Sequence, residues 1–301
     1  MTSPYLHGII PPIITPFKEN GDVDYDAFTR NIERWNNDQL AGYLALGSNS
    51  EAPFLSYDEK LKLIELTMGA AKKGRTILAG TGLESARETI RLTNEVAKLG
   101  AHAALVLTPS YYTDQMDDSA LIHHFTEVAD HSDIPILVYN VPKFSHVNVS
   151  LNVVRTLSDH PNIIGMKDSM SDVEQLSLFF KEVPKKFQVI VGTAGALLPA
   201  LKIGIRCAIP ALANAAPNHC AHVQRFFEEG LVQRAEELQQ RLSPVNTALT
   251  VTYGVAGLKY ACTLMGYQGG HVRSPLQSLR DDAKKEIRNI LSNAGILGPD
   301  K

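Results

Sequence analysis

Short apolar runs with no polar interruption alternate along the chain with longer stretches in which apolar residues return every three or four positions. The short runs fall at 8–17 (GIIPPIITPF), 42–49 (GYLALGSN), 76–82 (TILAGTG) and 103–109 (AALVLTP). Four more follow at 135–142 (PILVYNVP), 162–169 (NIIGMKDS), 187–194 (FQVIVGTA) and 206–214 (RCAIPALAN). A strand with one wet face alternates apolar and polar residues; these runs do not, and read as parallel strands covered on both faces. The longer stretches, such as DEKLKLIELTMGAAKK (58–73) and ARETIRLTNEVAKLG (86–100), read as amphipathic helices. Repeats of about 25 to 30 residues fit βα units with right-handed crossovers. Eight such units predict an α/β fold, a (β/α)8 TIM barrel. A doubly wound open sheet is the rival, but it calls for a Gly-rich turn after its first strand. IITPFKENGD (13–22) has none. The barrel strands are complete by residue 216, and 217–301 reads as the last barrel helix plus a C-terminal helical extension. No low-complexity linker separates the two parts, which are expected to form one structural unit.

Composition narrows the class. With 44% hydrophobic and 20% charged residues in 301, the chain is ordinary for a globular enzyme. A formal net charge of -3 supplies no field to gather nucleic acid or anionic lipid, so neither is an expected partner. Cys207, Cys220 and Cys262 form no CxxC pair and are expected to be buried free thiols. No apolar run approaches the roughly 20 residues of a membrane span. The N-terminus reads as neither a signal peptide nor an Arg-rich leader. A cytoplasmic protein is expected, or a mitochondrial one if a transit peptide was removed.

In a TIM barrel, reactive groups gather at the C-terminal strand ends. Here those ends carry Thr15, Ser48, Asn49, Tyr111, Tyr112, Tyr139, Lys167, Asp168, Ser169 and Thr193. The set lacks the His and carboxylate cluster of a metal site, and no metal is expected. It also lacks a Ser-His-Asp arrangement. A lysine among phenols in a partly dry mouth suits Schiff-base chemistry: desolvation favours the neutral amine, which attacks a ketone. A tyrosine hydroxyl can relay protons. On pattern alone a plain strand-end lysine is an equal reading of Lys167. Taken singly, GSNSE (47–51) reads as a loop with a helix cap, Tyr139 as a packing residue and GTAG (192–195) as a small-residue turn. His123 and His124 read as structural or solvent-facing.

Together the motifs resemble one family, the dihydrodipicolinate synthase and N-acetylneuraminate lyase group of pyruvate-type class I aldolases. The resemblance runs from Gly8 to Leu279 through GSNSE, TPSYY (108–112), YNVP (139–142), GMKDS (165–169) and the tail YGVAGLKYACTLMGYQGGHVRSPL (253–276). It implies that Lys167 forms the imine with a 2-oxo acid, with no other cofactor, and that Tyr139 relays protons. It further implies that Ser48 and Asn49 bind the keto-acid carboxylate, with Ser48 linking Tyr139 to Tyr111. Tyr111 would enter a neighbouring subunit's site, so a dimer or a dimer-of-dimers tetramer is expected. Gly192 and Ile209 would line the pocket.

Departures from the family pattern bear on the substrate. Dihydrodipicolinate synthases carry an arginine two residues after the YNVP proline, where it binds the aldehyde's carboxylate; here that position is Phe144, with Lys143 beside it. Ser50 stands for a usual glycine and His271 for a common proline. Several stretches, among them GSNSEAPFLS (47–56) and HPNIIGMKDSMSDV (160–173), are similar to eukaryotic 4-hydroxy-2-oxoglutarate aldolases. That similarity implies cleavage of 4-hydroxy-2-oxoglutarate to pyruvate and glyoxylate, with Ser169 and Asn49 on the distal carboxylate. The alternatives are a 2-keto-3-deoxy sugar acid aldolase and a dihydrodipicolinate synthase-type condensation of pyruvate with an aldehyde.

Overall fold

In the computed structural model, which describes residues 4–298, all eight apolar runs contain a strand. In chain order the elements are β1 (Gly8–Ile9), α1 (Tyr25–Trp35), β2 (Gly42–Ala45), α2 (Tyr57–Ala70), β3 (Thr76–Gly80), α3 (Ala86–Lys98), β4 (Ala103–Leu107) and α4 (Asp118–Asp130). They continue with β5 (Ile136–Asn140), the one-turn α5 (Pro142–Ser145), α6 (Leu151–Ser158), β6 (Ile163–Asp168), α7 (Val173–Glu182), β7 (Gln188–Val191), α8 (Leu197–Ile203) and β8 (Cys207–Ala208). Four helices complete the chain: α9 (Pro217–Glu228), α10 (Val232–Thr247), α11 (Gly254–Leu264) and α12 (Asp281–Asn293).

The strands pair in parallel in the order β1-β8-β7-β6-β5-β4-β3-β2. The sheet closes between β1 and β2, where Ala41 N–H donates to Ile9 O (2.8 Å), Leu44 N–H to Pro11 O (3.0 Å) and Ile13 N–H to Leu44 O (2.9 Å). The architecture is a TIM barrel with added C-terminal helices. Two runs give much less strand than their length suggests. In the first, Pro11 and Pro12 have no N–H to donate. The Asn214 side chain instead staples that segment, donating to Pro12 O (2.9 Å) and accepting from Ile14 N–H (3.0 Å). In the last, the chain makes its final ladder bond from Ile209 N–H to Val191 O (2.8 Å) and turns into a 3-10 helix, Ala211–Asn214.

Six helices begin at an Asp or Ser whose side chain accepts from the first turn: Asp24, Ser56, Ser85, Asp117, Ser150 and Asp172. Such caps fix where each crossover starts, close after its strand. Apolar side chains then divide into two layers. Ile10, Leu44, Leu78, Leu105, Leu137 and Ile190 fill the barrel interior. Their chain neighbours, such as Ala45, Ala79, Val106, Val138 and Val191, pack outward under the helices. That double burial is why the strands show no apolar–polar alternation. The three cysteines are free and buried, as expected. Among the described residues no helix is long and apolar enough to cross a membrane.

Candidate active site

Lys167 owes its direction to an irregularity in β6. Along β5, Ile136 pairs with Ile163 but the next residue, Leu137, pairs with Gly165, leaving Ile164 as one extra residue. Ile163 faces the outer layer, so regular alternation would send residue 167 outward too. The bulge resets the phase, as bulges beside functional sites often do. After it, Val138 and Met166 pair and face outward, while Tyr139 and Lys167 pair in register at the inner face. Gly165 permits the tight passage, because a Cβ there would lie 2.2 Å from the Gln188 carbonyl oxygen.

Lys167 is only 3% exposed, and its Nζ stands 4.1 Å from the Tyr139 ring centroid. Burial by itself would raise the Tyr139 phenol; the Lys167 ammonium and the hydroxyls of Ser48 and Ser169 outweigh it and hold the phenol below its usual range. Ser48 Oγ lies 3.5 Å from Tyr139 Oη, at the outer limit of a hydrogen bond. Ser48, Asn49 and Ser50 form a single 3-10 turn after β2, separate from the cap of α2, which is Ser56. The N–H groups that open such a turn have no partner within it and face a ligand readily.

These groups border a cavity of about 360 Å³. It brings together Lys167, Tyr139, Ser48, Asn49, Ser169 and Gly192. Gly192 is required by contact: a Cβ there would sit 2.0 Å from Ser169 Oγ. GTAG is indeed a small-residue turn, but its Gly192, Thr193 and Gly195 also face the cavity.

Other candidates lie elsewhere. Asp168 points to the outer side, where its carboxylate accepts from Met170 N–H (2.7 Å) and Gln175 Nε2 (2.8 Å); burial raises it despite those donors. Thr15 is fully buried away from the cavity, and Ile209 is fully buried in the inner barrel layer. Tyr111 does not meet Lys167 within the same chain. Its ring is 77% exposed, edge-on to Tyr112 at 5.0 Å, while Glu84 holds the loop by accepting from Ser110 and Tyr111 N–H (3.0 Å each). His123 is solvent-facing and His124 is buried, where desolvation pulls it down to about 4.

The C-terminal helices supply a wall the motifs did not announce. Ser243, Asn246, Thr247 and Thr250 face the cavity. Their i, i+3, i+4, i+7 spacing was the available signal, a small polar stripe on a helix otherwise rich in charge. Asn246 Nδ2 donates to Thr193 Oγ1 (3.1 Å), leaving its Oδ1 buried without a partner. Pro244 sits inside α10, and the helix runs on as a π turn over Ala248–Thr252. From that turn Thr250 O accepts from Lys143 Nζ (2.6 Å), which places a second ammonium at the rim beside Phe144. Among the described residues the lining contains two lysines and no carboxylate.

A buried amine facing a phenol, in a cavity whose described lining holds no acid, is the equipment of a Schiff-base enzyme, and comparison bears this class out: the protein is a carbon–carbon lyase of the pyruvate-type class I aldolase kind. The chain belongs to the dihydrodipicolinate synthetase family, whose model matches residues 5–294. It is 33% identical over 296 residues to the 4-hydroxy-tetrahydrodipicolinate synthase of Methanothrix thermoacetophila, covering 98% of this chain and 99% of that one. Among solved structures it resembles the chloride-inhibited dihydrodipicolinate synthase of Acinetobacter baumannii complexed with pyruvate. The TM-score there is 0.92, with 29% identity over 97% of this chain and 100% of that one. A monomeric dihydrodipicolinate synthase variant also matches, with a TM-score of 0.90 and 27% identity over 97% of each chain.

Proposed function

We propose that the protein joins pyruvate to an aldehyde bearing an anionic group, through an imine on Lys167. The inward Lys167–Tyr139 pair in a cavity without carboxylates carries this reading. Neutral Lys167 adds to C2 of pyruvate, and Tyr139 gives a proton to the departing hydroxyl, so that water leaves and an iminium forms. Loss of a proton from C3 gives the enamine, which attacks the aldehyde carbon. The new alkoxide takes up a proton, and water hydrolyses the imine to return the amine. Ser48, Asn49 and the N–H groups of their turn receive the pyruvate carboxylate. Lys143, which donates to the main-chain oxygen of Thr250 and has no carboxylate partner among the described residues, meets the anionic end of the aldehyde from the rim. The sequence involves no other cofactor.

The relatives' names favour this condensing reading, which stood second on sequence grounds. Cleavage of 4-hydroxy-2-oxoglutarate is the second reading. Phe144 at the rim, where the synthases keep an arginine, and Ser169 on the cavity wall support it. Longer 2-keto-3-deoxy sugar acids would lie along the α10 stripe. Incubation with pyruvate and borohydride followed by mass spectrometry is expected to find a reduced adduct on Lys167; an adduct that survives Lys167→Ala overturns the imine. Pyruvate consumption is expected with a longer anionic aldehyde such as succinic semialdehyde rather than with glyoxylate. Consumption with glyoxylate, the aldehyde the cleavage releases, would favour the second reading. Lys143→Ala is expected to raise KM for the favoured aldehyde but not for pyruvate.

A further inference from the structure

The turn bearing Ser48 and Asn49 is held from outside the cavity. It lies between two non-glycine residues in the left-handed region, Leu46 (φ 61°) and Glu51 (φ 57°). Such conformations persist only where the surroundings over-determine them. At Glu51 the surroundings are a buried ion pair. Its carboxylate is 2% exposed and contacts the ammonium of Lys259 on α11, also 2% exposed. Lys259 Nζ donates as well to His271 O (2.6 Å), and Arg273 N–H donates to Glu51 Oε2 (2.8 Å). Both cations lie against the Phe17 ring, Lys259 Nζ at 4.4 Å and the Arg273 guanidinium at 4.3 Å from its centroid. Neither Glu51 nor Lys259 borders the cavity that contains Lys167.

We propose that Lys259, acting through Glu51, is a positioning residue for the carboxylate subsite: the buried pair holds the Gly47–Ser50 turn in the backbone course that keeps Ser48 beside Tyr139 and Asn49 on the cavity wall. This rests on the imine reading. Ser50 Oγ, donating to Ile13 O (2.5 Å), ties only the middle of the turn. Its left-handed exit is fixed by Glu51, whose partners come from a layer more than 200 residues further along the chain. Without the pair that exit loses its anchor, and breaking only one side leaves an uncompensated buried charge as well, so the segment attached to it shifts. Here that segment carries Ser48 and Asn49.

The test compares Glu51→Gln, Lys259→Met and the double variant, which removes both charges together and so avoids an unpaired one. Each is given pyruvate, or hydroxyacetone as a ketone without a carboxylate, and trapped on Lys167 with borohydride. The proposal expects KM for pyruvate to rise by about tenfold to a hundredfold, with hydroxyacetone trapping reduced far less. The double variant should share this defect at a near-native melting temperature. Lower melting temperatures with an unchanged pyruvate KM would make the pair purely structural and overturn the proposal. Equal losses for both ketones would overturn it too, since the effect would not lie at the carboxylate. If the unmodified protein forms no adduct, the imine reading falls and the proposal with it.

Discussion

Taken singly in the sequence, Lys167 reads equally well as a plain strand-end lysine at the close of an apolar run, and Tyr139 as a packing residue. Their pairing in register turns two ambiguous residues into one centre. Lys167→Ala is expected to abolish the borohydride adduct. Tyr139→Phe should keep slow adduct formation while lowering kcat by about a hundredfold to ten-thousandfold, the usual contribution of a positioned proton donor. Because the Lys167 ammonium and the Ser48 and Ser169 hydroxyls hold the phenol below its ordinary value despite burial, it should ionise at lower pH than an ordinary tyrosine. Phenolate absorbance during a pH titration, lost in Tyr139→Phe, checks the shift. Gly192→Ala tests shape alone. The new methyl would meet Ser169 Oγ at 2.0 Å and Asp168 O at 2.8 Å, so something must move. A raised substrate KM is expected, with a stability loss of about 1–3 kcal/mol in a urea melt. An unchanged KM would show that Ser169 has no bearing on the substrate.

At the scale of elements, the eight strands were legible because burial on both faces leaves a continuous apolar run, whatever the exact pairing. What each strand end points at was not. The bulge at Ile164 is a pairing property of two strands, and the residues Ile163–Asp168 look the same with or without it. Hence Asp168, one residue from Lys167, was grouped with it and proves to face the other way. The clamp between α2 and the C-terminal loop was hidden for a related reason, since its partners are far apart in the chain. Arg273 donates to both oxygens of Glu59 (2.7 and 2.8 Å) and holds that carboxyl down to about 2, against the opposing effect of burial and with help from Ser56. A carboxyl lowered in the folded state stabilises it fully above its unfolded value of 4.5, and that contribution fades as pH falls toward about 2. Urea midpoints taken from about pH 5 down to about pH 3 should therefore fall more steeply for the native protein than for Glu59→Gln. Parallel curves would mean that the guanidinium contact adds nothing to stability.

For the whole molecule, the barrel encloses its amine but leaves one implicated residue outside. Tyr111 projects into solvent with Tyr112, on a loop that Glu84 fixes at three points. A loop so restrained does not swing to its own cavity, yet its exposed aromatic pair is the kind of surface a second copy covers. The matched monomeric variant means that family membership alone does not settle the assembly, so the question turns on where Tyr111 acts. Mixing two inactive proteins decides it. In a Lys167→Ala chain paired with a Tyr111→Phe chain, the second chain's site keeps its own lysine and receives the first chain's tyrosine. If Tyr111 serves the neighbour, an equal mixture exchanged through mild denaturant should recover about a quarter of native activity. If Tyr111 serves its own chain, every site in the mixture lacks one group and activity stays at the level of the separate variants. Sedimentation at the assay concentration must find dimers in the first case. Full activity of the unmodified protein as a monomer would contradict the shared site, because a lone chain would then have brought its exposed tyrosine across the barrel mouth unaided.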